Sequence, residues 1–594
     1  MCGIVAIFMK KEKDWGQVES NAKCVAAAIQ HRGPDGQGCY VNDGWGFVNL
    51  RLAIVDVVGG NQPIFNENKS VGIVYNGEIY NHVEIRKDLE KVGYRFQTQS
   101  DTEVVLRAYE AYGTNAFEKF NGMFAFCIWD EEKKEAYLAR DQIGVKPLYV
   151  YEDDEKIICS SELKAILSVP NANLELDPIG IQDYLLYRYI QSPYTLFRSI
   201  RILEAGTYIK VRNGVITHHR YWDVSYKEIQ PLVDFENAKQ QLHNRLFSAV
   251  QSQLMGEVPI GILLSGGVDS SAIAYYVREA GANLTTFNIG FPEINEFQYS
   301  QIVAKALGLR HVEVVMTVDD LLNLFDESVL ALDHPIADPA CLPLFRLSQE
   351  LKRHVTVVLS GEGGDELFAG YPQYKQLSAG FIPYKKRFEL FLEKSWYFLN
   401  YREFLNKTLV VPIEFRHWKY FDENSLLNGM LSFDMKTWMP ENLMMKADKI
   451  MMAHSLEGRF PFLDLELFQF SASLPEEYKM RADGTGKWIL KELLKDVLPA
   501  DIIGRPKMGF TVPVDILLER MRPKILNTIH NAQKISAADI INIPRVLNLA
   551  NQYYNGYHAH ALQLWSLFVL LHWFQYALPQ YKSGLKLPGR YYDL

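Results

Sequence analysis

The sequence predicts a two-domain chain of class α/β plus α+β, with a doubly wound parallel sheet in its C-terminal part. Length is the first reason: 594 residues exceed what one hydrophobic core usually supports. The second is an apolar run at 258–264 that enters Ser265-Gly266-Gly267-Val268-Asp269-Ser270-Ser271 and leaves as a helical pattern at 270–280. The third is a repeat of that design, where Val355-Thr356-Val357-Val358-Leu359 runs into Ser360-Gly361-Glu362-Gly363-Gly364-Asp365-Glu366. Between the loops, strand-like runs at 284–291 and 311–315 alternate with helical segments at 298–307 and 321–332. Such alternation builds a parallel sheet with right-handed crossovers, whose ligands bind beyond the carboxyl ends of the strands. Two acid- and glycine-rich loops at two carboxyl ends are therefore expected to face one site.

The first loop presents backbone N–H groups and the positive end of a helix dipole to an anion. Glycines admit a bulky phosphate, while Asp269 and the serines add a metal-directed carboxylate and hydroxyl donors. The spacing is neither Gly-x-x-x-x-Gly-Lys-Ser/Thr nor Gly-x-Gly-x-x-Gly. A lone Ser-Gly-Gly reads equally well as an ordinary strand-to-helix turn. Composition narrows the class. An apolar share of 48% and a charged share of 22% are those of a soluble globular protein, and a net charge of −9 argues against nucleic acid as partner. Six scattered cysteines form no Cys-x-x-Cys pair, which fits a reducing cytosol and neither a zinc site nor a disulfide framework. The apolar start at 1–8 lacks a basic region and does not read as a secretory signal. Residues 561–578 carry no formal charge and are long enough to span a bilayer, but Gln563, Ser566, His572 and Gln575 interrupt them. A buried core helix and no membrane are expected there, with His558 and His560 as surface histidines.

Ser265-Gly266-Gly267-Val268-Asp269-Ser270 resembles the pyrophosphate loop of the ATP-pyrophosphatase superfamily, whose members cleave ATP between the α and β phosphates to adenylate a carboxylate or carbonyl. At the other end, five motifs occur in order: Cys2-Gly3-Ile4, His31-Arg32-Gly33-Pro34-Asp35-Gly36, Arg51-Leu52-Ala53-Ile54-Val55-Asp56, Tyr75-Asn76-Gly77-Glu78-Ile79-Tyr80-Asn81 and Ser100-Asp101-Thr102-Glu103. Together they resemble the class II glutamine amidotransferase domain, an N-terminal-nucleophile (Ntn) fold of αββα layers. The resemblance implies that Cys2 attacks the glutamine side-chain amide, and loss of Met1 would let the Cys2 α-amino group serve as its base. It implies an oxyanion hole from the Asn76 side chain and the Gly77 N–H, with glutamine bound by Arg51, Leu52, Asn76, Gly77, Glu78 and Asp101. Read without the family, Asn76-Gly77 is a hairpin turn, and Arg51 and Asp101 are surface charges.

Residues 444–464, from Met444-Met445-Lys446 through Glu457-Gly458-Arg459 to Asp464, resemble the long signature of the asparagine synthetase synthase domain, as do Gly486-Lys487-Trp488 and Arg505-Pro506-Lys507. The methionines read as core packing, and Glu457, Arg459 and Asp464 as an active-site wall. Residues 371–424 read as mostly helical and hold no motif. The resemblance implies MgATP bound by Leu263, Ser265, Gly266, Gly267, Asp269, Ser270, Ile289, Ser360, Gly361 and Lys507, and Mg²⁺ held by Asp269 and Asp365. It also implies Glu362 at the acceptor site and Lys487 facing the leaving pyrophosphate. The expected division is an amidotransferase domain at 2–215, a connector at 216–237 and a synthase domain at 238–594. The expected activity is glutamine-dependent amidation of aspartate through β-aspartyl-AMP, in the cytoplasm, with a homodimer as a family-level expectation and an internal apolar passage for ammonia. One departure is His334, where many relatives carry an acid; it leaves open a different carboxylate acceptor in secondary metabolism. A binding protein that merely keeps the fold would be expected to lose Cys2, Asp269 or Glu362 first, and all three are present.

Overall fold

The computed structural model describes residues 1–10, 15–42, 44–226, 234–377, 384–395, 397–406, 416, 418–421, 425–509 and 512–584. Its N-terminal part stacks two antiparallel six-stranded sheets. In spatial order the first is Ile200–Ile202, Tyr149–Glu152, Lys156–Ser160, Cys2–Met9, Trp45–Arg51 and Gly36–Asn42. The second is Val215–Arg220, Thr207–Arg212, Glu135–Arg140, Gly122–Asp130, Val71–Ile79 and Ile64–Phe65. Alternation along Cys2–Met9 explains the layering. Ile4, Ala6 and Phe8 pack toward Val74, Ala125 and Leu138 of the second sheet, whereas Val5 and Ile7 face Val18, Val25 and Ile29 on and beside helix Trp15–Ala28. The far face of the second sheet, with Tyr75, Phe124 and Phe126, is covered by Val104, Val105 and Ala108 of helix Asp101–Tyr112. The layers are thus αββα.

The C-terminal part holds a five-stranded parallel sheet in the order His311–Val315, Thr285–Gly290, Ile260–Leu263, Val357–Leu359 and Glu457–Arg459. Helices Val268–Glu279, Phe297–Leu307, Val318–Leu332 and Cys341–Leu351 connect its first four strands. The fifth strand is a finding beyond the sequence reading. Its three residues carry two charges and show no apolar run, yet all three are buried.

Three expectations about the chain change here. Val215–Arg220 pairs with Thr207–Arg212 as the edge of the second sheet, so the connector cannot begin at 216. Helix Phe235–Ser252, capped by the Asp234 side chain on the N–H of Asn237, starts before 238; residues 227–233 lie outside the described ones. The third is Asn76-Gly77, which lies mid-strand, opposite Ala125 and Phe124, not in a hairpin turn. In the stretch 371–424 the described part includes helices Pro372–Leu377 and Tyr384–Lys394, while 378–383, 407–415 and 422–424 lie outside it. The uncharged stretch near the C-terminus is packed inside, with Leu564, Phe568 and Trp573 in the main core.

Candidate active sites

Cys2 starts the central strand of the first sheet, opposite Arg51 in the neighbouring strand. Its N–H donates to Asn76 Oδ1 at 2.9 Å, and its carbonyl accepts from Arg32 Nε at 3.1 Å. Since Asn76 Oδ1 is occupied by the nucleophile's own backbone, the amide group is oriented with Nδ2 free. That Nδ2 is buried and has no hydrogen-bond partner. A buried unpaired donor beside a thiol is costly unless a ligand uses it, and an oxyanion would. Gly77 is required by packing: a Cβ there would stand 2.2 Å from the Met123 carbonyl oxygen.

Arg51 and Asp101 are buried, so neither is a surface charge. The Arg51 guanidinium donates to the Val57 carbonyl at 3.0 Å, to Asn61 Oδ1 at 2.9 Å and to the Asp56 carbonyl at 2.6 Å, so the loop after Arg51 wraps its fork. Asp101 Oδ2 accepts from the Tyr75 hydroxyl at 2.7 Å and the Ile79 N–H at 3.0 Å. Glu78 is buried with Oε2 unpaired, and burial, then Glu457 and Asp101, push its carboxyl well above the usual range. Leu52 exchanges backbone bonds with Met1. The Met1 ammonium lies 3.1 Å from Glu457 Oε2; burial opposes its charge, but Glu457 and its neighbours raise it overall. The sequence reading missed Gln62, which has no motif. Its Oε1 accepts from the Tyr75 N–H at 2.7 Å and Asn49 Nδ2 at 3.1 Å, and its Nε2 lies 4.0 Å from Cys2 Sγ.

The second site is a cleft of about 750 Å³ at the carboxyl ends of the parallel strands. Leu263, Ser265, Gly267, Asp269, Ser270, Ile289, Ser360, Gly361, Glu362, Asp365, Lys487 and Lys507 all line it. Gly266 does not: at φ +75° it packs against the backbone of Tyr299 and Ser300, where a Cβ would meet atoms at 2.6 Å. The two loops touch, because a Cβ on Gly361 would stand 2.7 Å from the Ser270 nitrogen. The loop is self-bonded, with Ser270 Oγ accepting from the Ser265 N–H at 3.2 Å and donating to the Gly267 carbonyl at 3.2 Å.

Lys487 Nζ sits between Asp269 Oδ2 and Asp365 Oδ1, 2.5 Å from each, and Lys507 Nζ lies 2.5 Å from Asp365 Oδ2. Burial pushes Asp365 up, but Lys487 and Lys507 outweigh it and hold its pKa down to about 2. For Asp269 burial prevails over Lys487, and its carboxyl is raised. Asp269 Oδ1 is buried without a partner. Paired carboxylates on two adjoining loops, one with an unused oxygen, fit a divalent ion shared with phosphate oxygens; no cluster of three or more ligating side chains exists among the described residues. Glu362 Oε2 is likewise buried and unpaired, and burial raises its carboxyl despite Lys446. Lys446, which lines the cleft and pairs with Asp338 at 2.8 Å, was passed over inside the methionine-rich signature.

Two groups fall elsewhere than expected. Glu457, Arg459 and Asp464 do not line the cleft but meet the N-terminal domain: Glu457 at Met1, Arg459 at Glu78, and Asp464 at Asn121. His334 is also buried away from the cleft, its ring 6.3 Å from Tyr149 of the N-terminal domain, and desolvation, then Lys449, holds it well below the usual imidazole value. His334 therefore does not line the cleft.

The chain matches the glutamine amidotransferase domain over residues 1–222 and the asparagine synthase family over residues 241–575. Among curated proteins it is 33% identical to asparagine synthetase [glutamine-hydrolyzing] 1 of Bacillus subtilis, over 96% of each chain. It is 31% identical to asparagine synthetase [glutamine-hydrolyzing] 3 of the same organism, over 86% of this chain and 87% of that one. Its identity to asparagine synthetase B [glutamine-hydrolyzing] of Escherichia coli is 29%, over 86% of this chain and 82% of that one. With relatives matched over almost the whole length and both halves in the same order, this chain belongs to the asparagine synthase family.

Proposed function

We propose that the protein is a glutamine-hydrolysing asparagine synthetase, with an amidotransferase domain ending after the strand Val215–Arg220 and a synthase domain beginning near Phe235. In the first domain, with Met1 removed, the Cys2 amine takes the thiol proton and Sγ attacks the glutamine amide. The developing oxyanion is met by Asn76 Nδ2, the buried donor without another partner, and by the Gly77 N–H. Ammonia leaves, and water releases glutamate from the thioester. Arg51 faces the substrate α-carboxylate, and Glu78 and Asp101 face the α-ammonium.

In the cleft, the loops at Ser265–Ser270 and Ser360–Gly361 cradle ATP, and the aspartate β-carboxylate attacks the α phosphorus. Lys487 and Lys507 offset the charge building on pyrophosphate as it departs. Asp269 and Asp365 would hold Mg²⁺, which when bound neutralises phosphate charge. Glu362, with its raised affinity for a proton, accepts one as ammonia attacks the adenylate; asparagine and AMP result. The reading places the enzyme in the cytoplasm, as a homodimer, using small-molecule substrates only.

One observation carries this reading: a single chain holds a thiol beside an unused buried amide donor and, in its other half, two carboxylate-bearing loops facing two lysines in one cleft. The test is to incubate the protein with MgATP, glutamine and aspartate and follow asparagine, AMP and pyrophosphate together. Equal formation of the three, dependent on aspartate, is expected. Glutamate release without aspartate-dependent pyrophosphate would refute the aspartate assignment.

A further inference from the structure

Among the cations of the cleft, Lys446 stands apart from the phosphate end. Lys487 and Lys507 are paired there with Asp269 and Asp365. Lys446 comes from another segment, helix Met445–Ala453, and its buried ammonium donates to Asp338 Oδ2 at 2.8 Å. Asp338 is engaged through both oxygens: Oδ1 accepts from the Ala340 N–H at 3.0 Å, and Oδ2 also accepts from Asn442 Nδ2 at 3.4 Å. Held in this way, Asp338 fixes the Lys446 side chain. An ammonium has three N–H donors, and among the described residues Asp338 is its one hydrogen-bond partner. Burial opposes the charge on Lys446, but Asp338 and then Glu362 outweigh it, so the ammonium is retained. Glu362 feels the charges of both Lys446 and Lys507 and so lies within reach of both ends. The other cleft-lining residues of helix Cys341–Leu351 and of the two segments that hold Asp338 and Lys446 are Ala340, Pro343, Leu344, Leu347 and Leu443, all apolar.

This end of the cleft suits a ligand with a second anion. The reacting carboxylate of the acceptor must reach the α phosphorus, and Glu362 must reach the adenylate that forms. The acceptor therefore lies between the nucleotide phosphates and Glu362, and the rest of it extends toward a wall that is apolar but for one fixed cation. A carboxylate satisfies that cation, whereas a neutral group in its place leaves a desolvated charge without a partner. The geometry points to Lys446 as the specificity-determining residue of the acceptor site: it binds the α-carboxylate of aspartate while the β-carboxylate is adenylated, and Asp338 positions it. The inference rests on the function proposed above and deepens it, because it selects acceptors that carry a second carboxylate.

The test compares L-aspartate with its α-amide, which keeps the β-carboxylate and replaces the α-carboxylate by a neutral carboxamide. Pyrophosphate release is followed with MgATP and ammonium. The wild type should prefer aspartate by about 10²-fold in kcat/KM. In Lys446→Gln that preference should collapse to about 5-fold or less, with the loss on aspartate falling mainly in KM and the KM for ATP staying within about 2-fold. Lys446→Arg keeps the cation and should retain most of the preference. Lys446→Gln leaves Asp338 buried without its ion partner; if that variant does not fold, the double variant Lys446→Gln with Asp338→Asn removes both charges and decides alone. A folded variant that keeps the full preference would overturn the inference, as would a wild type that uses the α-amide as well as aspartate. A KM for ATP that rises as far as the KM for aspartate would also overturn it, by giving Lys446 to the nucleotide. A wild type that releases no pyrophosphate with either acceptor would instead sink the functional reading.

Discussion

The two sites solve different electrostatic problems with different materials. Around Cys2 the groups aimed at the reacting amide are neutral and fixed by strands: Asn76 is held through its oxygen and Gln62 through a backbone N–H, while the Met123 carbonyl leaves no room for a side chain at Gly77. In the cleft the groups are ions on loops and helix starts: Asp269, Lys487, Asp365 and Lys507 form a chain of ion pairs in that order. A thioester pathway develops one negative charge at one oxygen, which two aimed dipoles can meet. Adenylation separates a highly charged pyrophosphate, which needs cations. Variants should therefore divide by half-reaction.

The largest effect is expected at Lys487. Lys487→Met should lower aspartate-dependent pyrophosphate release by about 10²- to 10³-fold while leaving glutamate release from glutamine intact; equal loss of both would erase the division. Asn76→Ala is the mirror case. It should lower kcat for glutamine hydrolysis by about 10²-fold with ammonia-dependent synthesis unchanged, as a steady-state assay with each donor would show. Next comes Gly361→Ala, whose methyl would press on the Ser270 nitrogen. It should cost about 1–3 kcal/mol in denaturant unfolding and raise the KM for ATP more than the KM for glutamine.

The smallest effect concerns pH. Asp365 is held at about 2, below its ordinary carboxylate value, so its ion pairs stabilise the fold above about pH 4 and lose that contribution as pH falls toward 2. The stability difference between wild type and Asp365→Asn should shrink by about 2 kcal/mol over that interval, measured by denaturant titration at each pH. A difference independent of pH would mean that the Lys487 and Lys507 pairs do not hold the carboxylate.

What was legible in the sequence follows the same divide. The cleft could be read from local pattern, because apolar strands ending in glycine loops announce themselves, and the strands Ile260–Leu263 and Val357–Leu359 lie within the expected runs. Glu457–Arg459 could not, since its burial depends on partners from distant parts of the chain: the Met1 ammonium, Glu78 and the strand Val357–Leu359. Asn76-Gly77 gave a misleading local signal, as the dipeptide favours turns but is held mid-strand by pairing with Ala125 and Phe124. Gln62 had no signal at all; its role is a matter of three-dimensional hydrogen bonding. His334 suggested a specificity change only while its neighbours were unknown, and they belong to the domain interface.

The most direct test of two chemically separate sites in one chain is Cys2→Ala assayed with two nitrogen donors. With glutamine, asparagine formation should fall by about 10⁴-fold or more, the scale of removing a covalent nucleophile. With ammonium and MgATP it should continue at close to the wild-type rate. Glutamine-dependent synthesis surviving in this variant, or ammonia-dependent synthesis lost with it while the protein remains folded, would contradict the account.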